Sequence, residues 1–403
     1  MSERFDVVVV GGGILGLATA RAIAESRPSL RIAIVEKEHE LATHQTGHNS
    51  GVLHAGLYYA PGSLKARLCR EGKAAIERFA EEHDIPFERC GKLVVALDER
   101  ELARFAALKE RAAANGVRGL EEVGPERIRE IEPHAAGIRG LWSPETGIID
   151  FRRVALAIAA DLRAGGTEIL AGRTVDRLVE RGRDVVATTS GGDVVGRLGV
   201  VCAGLHADEI AARSGARADP RIVPFRGDYY TLRASARTLV RGLIYPIPDP
   251  RFPFLGVHFT KRIDGSVWAG PNAVLAFARE GYRRRDIRLL ELARTVAFPG
   301  FVRLASRYAR TGVAEMWRDW WKPAFVAELQ RYVPEIRADQ LEFGPSGVRA
   351  QALNRAGSLV DDFALSGTSR VLHVRNAPSP AATSSLAIGE MLARQALERL
   401  DAA

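Results

Sequence analysis

Apolar residues near the start of the chain fall into two short unbroken runs separated by a helical pattern. Phe5-Asp6-Val7-Val8-Val9-Val10 and Arg31-Ile32-Ala33-Ile34-Val35 read as strands buried on both faces, and positions 14–26 between them read as a helix. Such an order predicts a βαβ unit with parallel strands. The first strand runs into Gly11-Gly12-Gly13-Ile14-Leu15-Gly16. Gly11 permits the tight turn, Gly13 lets the backbone approach a pyrophosphate, and Gly16 lets the helix pack closely on the sheet. Free N–H groups from Ile14 onward and the positive end of the helix then face the phosphates. Glu36 closes the second run, where a carboxylate accepts hydrogen bonds from an adenosine ribose and repels a 2′-phosphate. Its neighbour Lys37 is placed at the same end of the cofactor. The unit predicts an unphosphorylated dinucleotide, NAD or FAD.

The pattern changes several times further on. A polar loop over 44–51 leads into 52–59, followed by a helix over 63–83, a strand over 91–97 and a helix over 101–115 stopped by Gly116. Gly147-Ile148-Ile149-Asp150 opens a helix over 151–164. From Arg173 to Gly204 the period becomes two, with a Gly191-Gly192 turn, which predicts a hairpin layered on the nucleotide sheet. In FAD enzymes of the glutathione-reductase type such a strand passes the AMP half, so Val175 is expected to offer its backbone to adenine. The run closes at Ala203-Gly204 beside the same sheet. Positions 222–342 are rich in strands and aromatics. The expected fold class is α/β with an α+β second domain: a glutathione-reductase-like Rossmann domain over 1–90, 146–221 and 343–403, with a discontinuous antiparallel-sheet substrate domain over 91–145 and 222–342.

Composition narrows the chemistry. The 403 residues are 46% hydrophobic and 26% charged, and no apolar run approaches the length of a membrane span. Strand 1 begins almost at once, so the expected location is the cytoplasm. Three cysteines, Cys69, Cys90 and Cys202, have no metal-ligand spacing, and no metal is expected. The net charge of +8 comes from 50 Arg and 7 Lys against 49 acids, scattered rather than clustered. Scattered charge favours anionic substrates or lipid and argues against nucleic acid.

Several residues stand out as chemistry. The segment 376–385, with Ala381-Ala382-Thr383 after two prolines, precedes an apolar helix over 386–400 whose open N–H groups suit the flavin edge where negative charge accumulates on reduction. The plain alternative is an ordinary capped helix. His54, after the polar loop, and His258, in Phe254-Leu255-Gly256-Val257-His258-Phe259, are two candidates for a general base or for hydrogen-bonded structural histidines. Arg226 and Arg349 are flanked by glycine and apolar residues, as suits either a bidentate carboxylate clamp or a structural pairing, for Arg226 with Asp228. Tyr245 beside two prolines is either a hydroxyl donor to substrate or a packed aromatic. Between 301 and 321, Phe301, Leu304, Ala305, Tyr308, Met316, Trp317, Trp320 and Trp321 recur at helical spacing among arginines. That stripe predicts peripheral docking on the inner face of the cell membrane or packing on the substrate domain.

Six blocks carry a family resemblance: HNSGVLHAGLYY from His48, VPFRGDYY from Val223, LIYPIPDPRFPFLGVHFT from Leu243, GPNAVLAFAREGY from Gly270, GPSGVRAQ from Gly344 and HVRNAPSPAATSSLAIG from His373. Together they resemble the L-2-hydroxyglutarate dehydrogenase/oxidase family, within the D-amino-acid-oxidase-like group of FAD enzymes. The resemblance implies non-covalent FAD and oxidation of a small dicarboxylate 2-hydroxy acid, L-2-hydroxyglutarate, to 2-oxoglutarate by hydride transfer from C2 to flavin N5. Electrons would leave for the quinone pool or oxygen. It also implies that His48, Asn49, Ser50, Gly51, Val52 and His54 line the flavin, that Gly347 and Val348 join them, that Tyr245 and His258 belong to the substrate pocket, and that Arg226 and Arg349 clamp carboxylate. Asp228 departs from the Glu expected in an RGEY-like block. An amino-acid or glycine oxidase of the same fold and a non-catalytic nucleotide-binding module are the alternatives.

Overall fold

The computed structural model describes residues 3–249 and 255–402, so part of the block that begins at Leu243 lies outside the described residues. The two apolar runs form the middle of a six-stranded sheet ordered Glu168–Leu170, Ile32–Val35, Val7–Val10, Leu198–Val201, Val371–Asn376, Ala364–Gly367. All neighbours are parallel except the last pair. Period two sorts the side chains between layers. Val7 and Val9 pack with Leu17, Ile76, Val154 and Leu400 from the helices Ile14–Ser26, Leu64–Glu82, Phe151–Ala164 and Ser385–Ala402. Val8 and Val10 pack instead with Val175, Leu178 and Val185 of a four-stranded sheet, the expected hairpin layer. A strand covered on both faces has no use for polar side chains, which is why the run is unbroken. Gly16 is dictated by space, since a Cβ there would lie 2.0 Å from the Gly11 carbonyl oxygen.

A nine-stranded sheet makes the second body. Its order is Val274–Leu275, Arg221–Leu232, Val267–Gly270, His258–Lys261, Leu243–Pro246, Lys92–Ala96, Arg139–Ser143, Glu121–Val123, with Leu341–Leu353 also paired to Arg221–Leu232. One pair departs from the antiparallel expectation: Leu243–Pro246 runs parallel to Lys92–Ala96.

Two further expectations need correction. The stretch from Phe343 does not return the chain to the nucleotide sheet. Leu341–Leu353 pairs antiparallel with Arg221–Leu232 from Arg221↔Leu353 to Leu232↔Leu341, and the return is delayed until Ala364–Gly367 and Val371–Asn376. Gly344 and Gly347 both pack within the ladder, where a Cβ on Gly347 would meet the His48 carbonyl at 2.5 Å. The stripe over 301–321 is likewise not one helix. It divides into Pro299–Arg307 and Ala309–Trp320, followed by Lys322–Gln330. Phe301, Leu304 and Tyr308 pack against Val223, Phe298 and Leu353, whereas Met316, Trp317, Trp320 and Trp321 are exposed.

Candidate active site

A cavity of about 1220 Å³ runs between the carboxyl ends of the parallel strands and the facing side of the nine-stranded sheet. Its size exceeds that of pockets for drug-sized ligands, about 300–1,000 Å³, and suits a dinucleotide together with a substrate. At one end Gly11, Gly13, Ile14, Glu36, Lys37, Val175, Ala203 and Gly204 line it. Gly11 turns at φ +108°, and a Cβ there would meet the Cys202 carbonyl oxygen at 2.4 Å, so the cradle admits only glycine. Glu36 accepts from Gly12 N at 2.7 Å and Glu38 N at 2.9 Å, which fixes the turn and leaves each oxygen a lone pair for a ribose hydroxyl. Lys37 is held by Glu280 at 2.7 Å and by Glu38, so its ammonium is one cation at the Glu38–His44–Glu280 cluster, beside His206, which Glu209 and Glu280 raise to about 9. Thr46, not anticipated, accepts from Ile14 N at 3.0 Å; the polar loop caps the helix whose dipole faces the cavity.

The middle of the cavity is lined by His48, Asn49, Ser50, Val52, Gly347, Val348, Ala381, Ala382 and Thr383. Gly16 and Gly51 are not on the wall. Gly16 packs beneath the turn, and Gly51, at φ +71°, donates to Asn49 Oδ1 and shapes the loop behind it. Thr383 Oγ1 accepts from His54 N and donates to Val52 O, each at 3.2 Å, tying the start of the terminal helix to the strand before His54. Cys202 also reaches the wall, but burial pushes its thiol up to about 12, which keeps it protonated and unreactive. The glycine cradle, the acid at the strand end and the helix start at 381–385 fit FAD.

Beyond this zone, Tyr58, Tyr229, Tyr245, His54, His258 and Arg349 converge. Tyr245 stacks on His258 with ring centroids 3.9 Å apart, and its hydroxyl lies 3.4 Å from Thr260 Oγ1. His258 Nδ1 donates to Gly256 O at 2.9 Å, which leaves the lone pair on Nε2. Burial drives His258 down to about 3, and the charges of Lys92 and Arg349 act in the same direction. His54 is held well below its ordinary value by burial, then by Lys92 and His258. Both imidazoles are therefore neutral near pH 7. Burial also lowers Arg349, whose guanidinium lies near Tyr229 and Tyr245.

Arg226 does not join this group. It is 4% exposed, off the cavity wall, and paired with Asp228 at 2.9 Å and Asp319 at 3.6 Å. Strand alternation explains the correction. Gly227 and Tyr229 face the cavity, so Arg226 and Asp228 point to the other side of the sheet. Tyr229 was missed for the same reason, although parity along Val223–Tyr230 contained the signal.

Comparison with known proteins agrees with this geometry. The FAD dependent oxidoreductase family matches residues 6–395. A Nematostella vectensis protein named L-2-hydroxyglutarate dehydrogenase, mitochondrial, is 50% identical, over 99% of this chain and 91% of its own length. The Homo sapiens protein of that name is 46% identical over 99% and 90%, and the Indibacter alkaliphilus L-2-hydroxyglutarate dehydrogenase 45% over 98% and 99%. Among solved structures, L-α-glycerophosphate oxidase from Mycoplasma pneumoniae with FAD bound superposes with a TM-score of 0.78 at 22% identity, covering 99% of this chain and 95% of that one. Glycine oxidase from Geobacillus kaustophilus has a TM-score of 0.73 at 19% identity over 99% and 95%, and these two share the fold. The chain belongs to the L-2-hydroxyglutarate dehydrogenase family of FAD-dependent oxidoreductases.

Proposed function

We propose that this chain oxidises L-2-hydroxyglutarate to 2-oxoglutarate at the tyrosine- and histidine-lined end of its cavity. The observation that carries the reading is a half-buried Arg349 facing the same space as two neutral histidines. Arg349 takes one carboxylate through its planar fork. The Tyr58 hydroxyl, buried without a hydrogen-bond partner among the described residues, donates to the same anion. One histidine, His54 or His258, takes the C2 hydroxyl proton, and the tyrosine wall excludes water from the reacting carbon. Bound FAD supplies the two-electron acceptor. Anaerobic addition of L-2-hydroxyglutarate is expected to bleach the flavin absorbance, while its D isomer, glycine and D-alanine leave it intact. Bleaching by glycine or D-alanine alone would instead identify an amine oxidase, and protein that binds no flavin would leave only a nucleotide-binding module.

The electron acceptor in this reading is a quinone in an anionic bilayer, reached by peripheral docking. No helix among the described residues is long and apolar enough to cross a membrane. Val313, Met316, Trp317 and Trp320 share one helix face, and with Trp321, Leu289 and Leu290 they form exposed apolar surface; Leu289 is 78% exposed and Trp320 71%. Exposed Arg283 and Arg288 precede Leu289–Val296, and exposed Arg294, Arg303, Arg307 and Arg310 lie on the three successive helices of this stretch; their positive charge complements acidic lipid. Vesicles containing phosphatidylglycerol are expected to sediment the wild type but not a Trp317/Trp320/Trp321→Ala variant. Equal co-sedimentation of the two would sink the docking surface.

A further inference from the structure

Lys92 opens the strand Lys92–Ala96 and is fully buried, yet its Nζ has no hydrogen-bond partner among the described residues. It lies on the side of the sheet that carries Val94 and Tyr245, the side turned toward the cavity, while Leu93 turns to the opposite core. The ammonium is 4.1 Å from the Tyr245 ring centroid and 5.2 Å from that of Tyr58. His258 stacks on Tyr245 at 3.9 Å, and it comes from the strand on one side of Leu243–Pro246 while Lys92 comes from the strand on the other. Lys92, Tyr245 and His258 therefore form a sandwich, with the cation behind the wall and the histidine on it.

A buried ammonium demands a compensating anion. The titratable groups around Lys92 are Cys69 on the helix Leu64–Glu82, Cys90 ahead of its own strand, His54 and Tyr58 from the segment after Val52–Leu53, Tyr245, and His258. Arg349 acts on His258 from Leu341–Leu353, another strand of the same sheet. None of these is a carboxylate. Both thiols are pushed up to about 12 by burial and stay neutral, and burial also raises both phenols. The quadrupoles of the two rings offset only part of the cost.

We propose that Lys92 is a positioning residue whose charge is completed by the substrate, so that it selects dianionic over monoanionic ligands through the Tyr58–Tyr245 wall. This rests on the reading of the cavity as a 2-hydroxydicarboxylate site. Burial brings the Lys92 ammonium down to about 7, against a smaller upward pull from Cys69 and Cys90. Its charge is present below that value and is lost as the pH rises through it. Dianion affinity therefore falls above about pH 7, and binding takes up a proton.

The test measures dissociation constants of the holoenzyme for glutarate and for valerate, read by perturbation of the flavin absorbance, so that turnover is not needed. In the wild type, glutarate is expected to bind more tightly than valerate and to weaken about tenfold from pH 6 to pH 8.5. Lys92→Met and Lys92→Gln are expected to weaken glutarate about tenfold at pH 6, to flatten its pH dependence and to change valerate less than about twofold. Retained preference for glutarate in either variant overturns the proposal. If neither variant retains flavin, the wild-type profile decides, and a glutarate constant flat from pH 6 to pH 8.5 overturns it. Failure of glutarate to bind the wild type would overturn the dicarboxylate reading itself, which keeps the two outcomes distinct.

Discussion

Alanine at His54 or at His258 is expected to slow anaerobic flavin reduction by L-2-hydroxyglutarate about 10²–10⁴-fold, the usual contribution of a positioned base. The two variants should separate by what they lose. The residue that takes the hydroxyl proton loses limiting rate at saturating substrate, and one that only shapes the pocket loses affinity. His258 has the fixed tautomer, because Nδ1 is committed to Gly256 O and the ring is held by Tyr245. His54 is tied through its backbone to Thr383 at the start of the terminal helix. The pH profile adds a second check. A histidine at about 3 is already neutral well above that value, so its base form is lost only as pH falls through 3. The kcat/KM profile should accordingly show no acid limb from His258 between about pH 5 and 8. Wild-type reduction rates in both variants would dismiss the histidines as bases.

Arg349→Met is expected to raise the KM for L-2-hydroxyglutarate by about 10²-fold or more, since losing one partner of a buried charged hydrogen bond costs about 2–5 kcal/mol. Lysine should restore only part of the loss, because a point charge cannot reproduce the two parallel bonds of a guanidinium. Arg226→Met is the contrast. Its guanidinium serves the half-buried Asp228 and the buried Asp319, and removing it leaves Arg284 as their remaining arginine partner, with Asp319 already pushed up to about 6 by burial and by Asp228. That change should lower the melting temperature without a comparable rise in KM. A large KM effect from Arg226→Met with little from Arg349→Met would exchange the two assignments.

The nucleotide half was legible because its physics is local. An unbroken valine run, a glycine turn and a terminal acid each follow from the residues beside them, and Gly11, Gly13 and Ile14 line the cavity. The hairpin over 173–204 was equally local. Legibility failed where a property depended on which side of a strand or helix met another layer. Arg226 and Arg349 look alike in sequence, flanked by glycine and apolar residues, and only sheet parity separates the one turned to Asp228 from the one facing the cavity. Phe301 and Trp317 belong to one periodic stripe, yet one packs inward and the other is exposed, because the helix breaks at Tyr308.

By itself the chain's sequence determined a phosphate-cradling βαβ unit, its preference for an unphosphorylated dinucleotide, and the residue types available for acid–base work. These are set by short-range sterics and by the period of apolar positions, which neighbouring residues dictate. Only the tertiary structure decided which histidines, tyrosines and arginine share one buried space, and that Lys92 stands behind them without an anion. Residues from both ends of the chain meet there, and burial shifts proton affinities according to what surrounds a group in three dimensions.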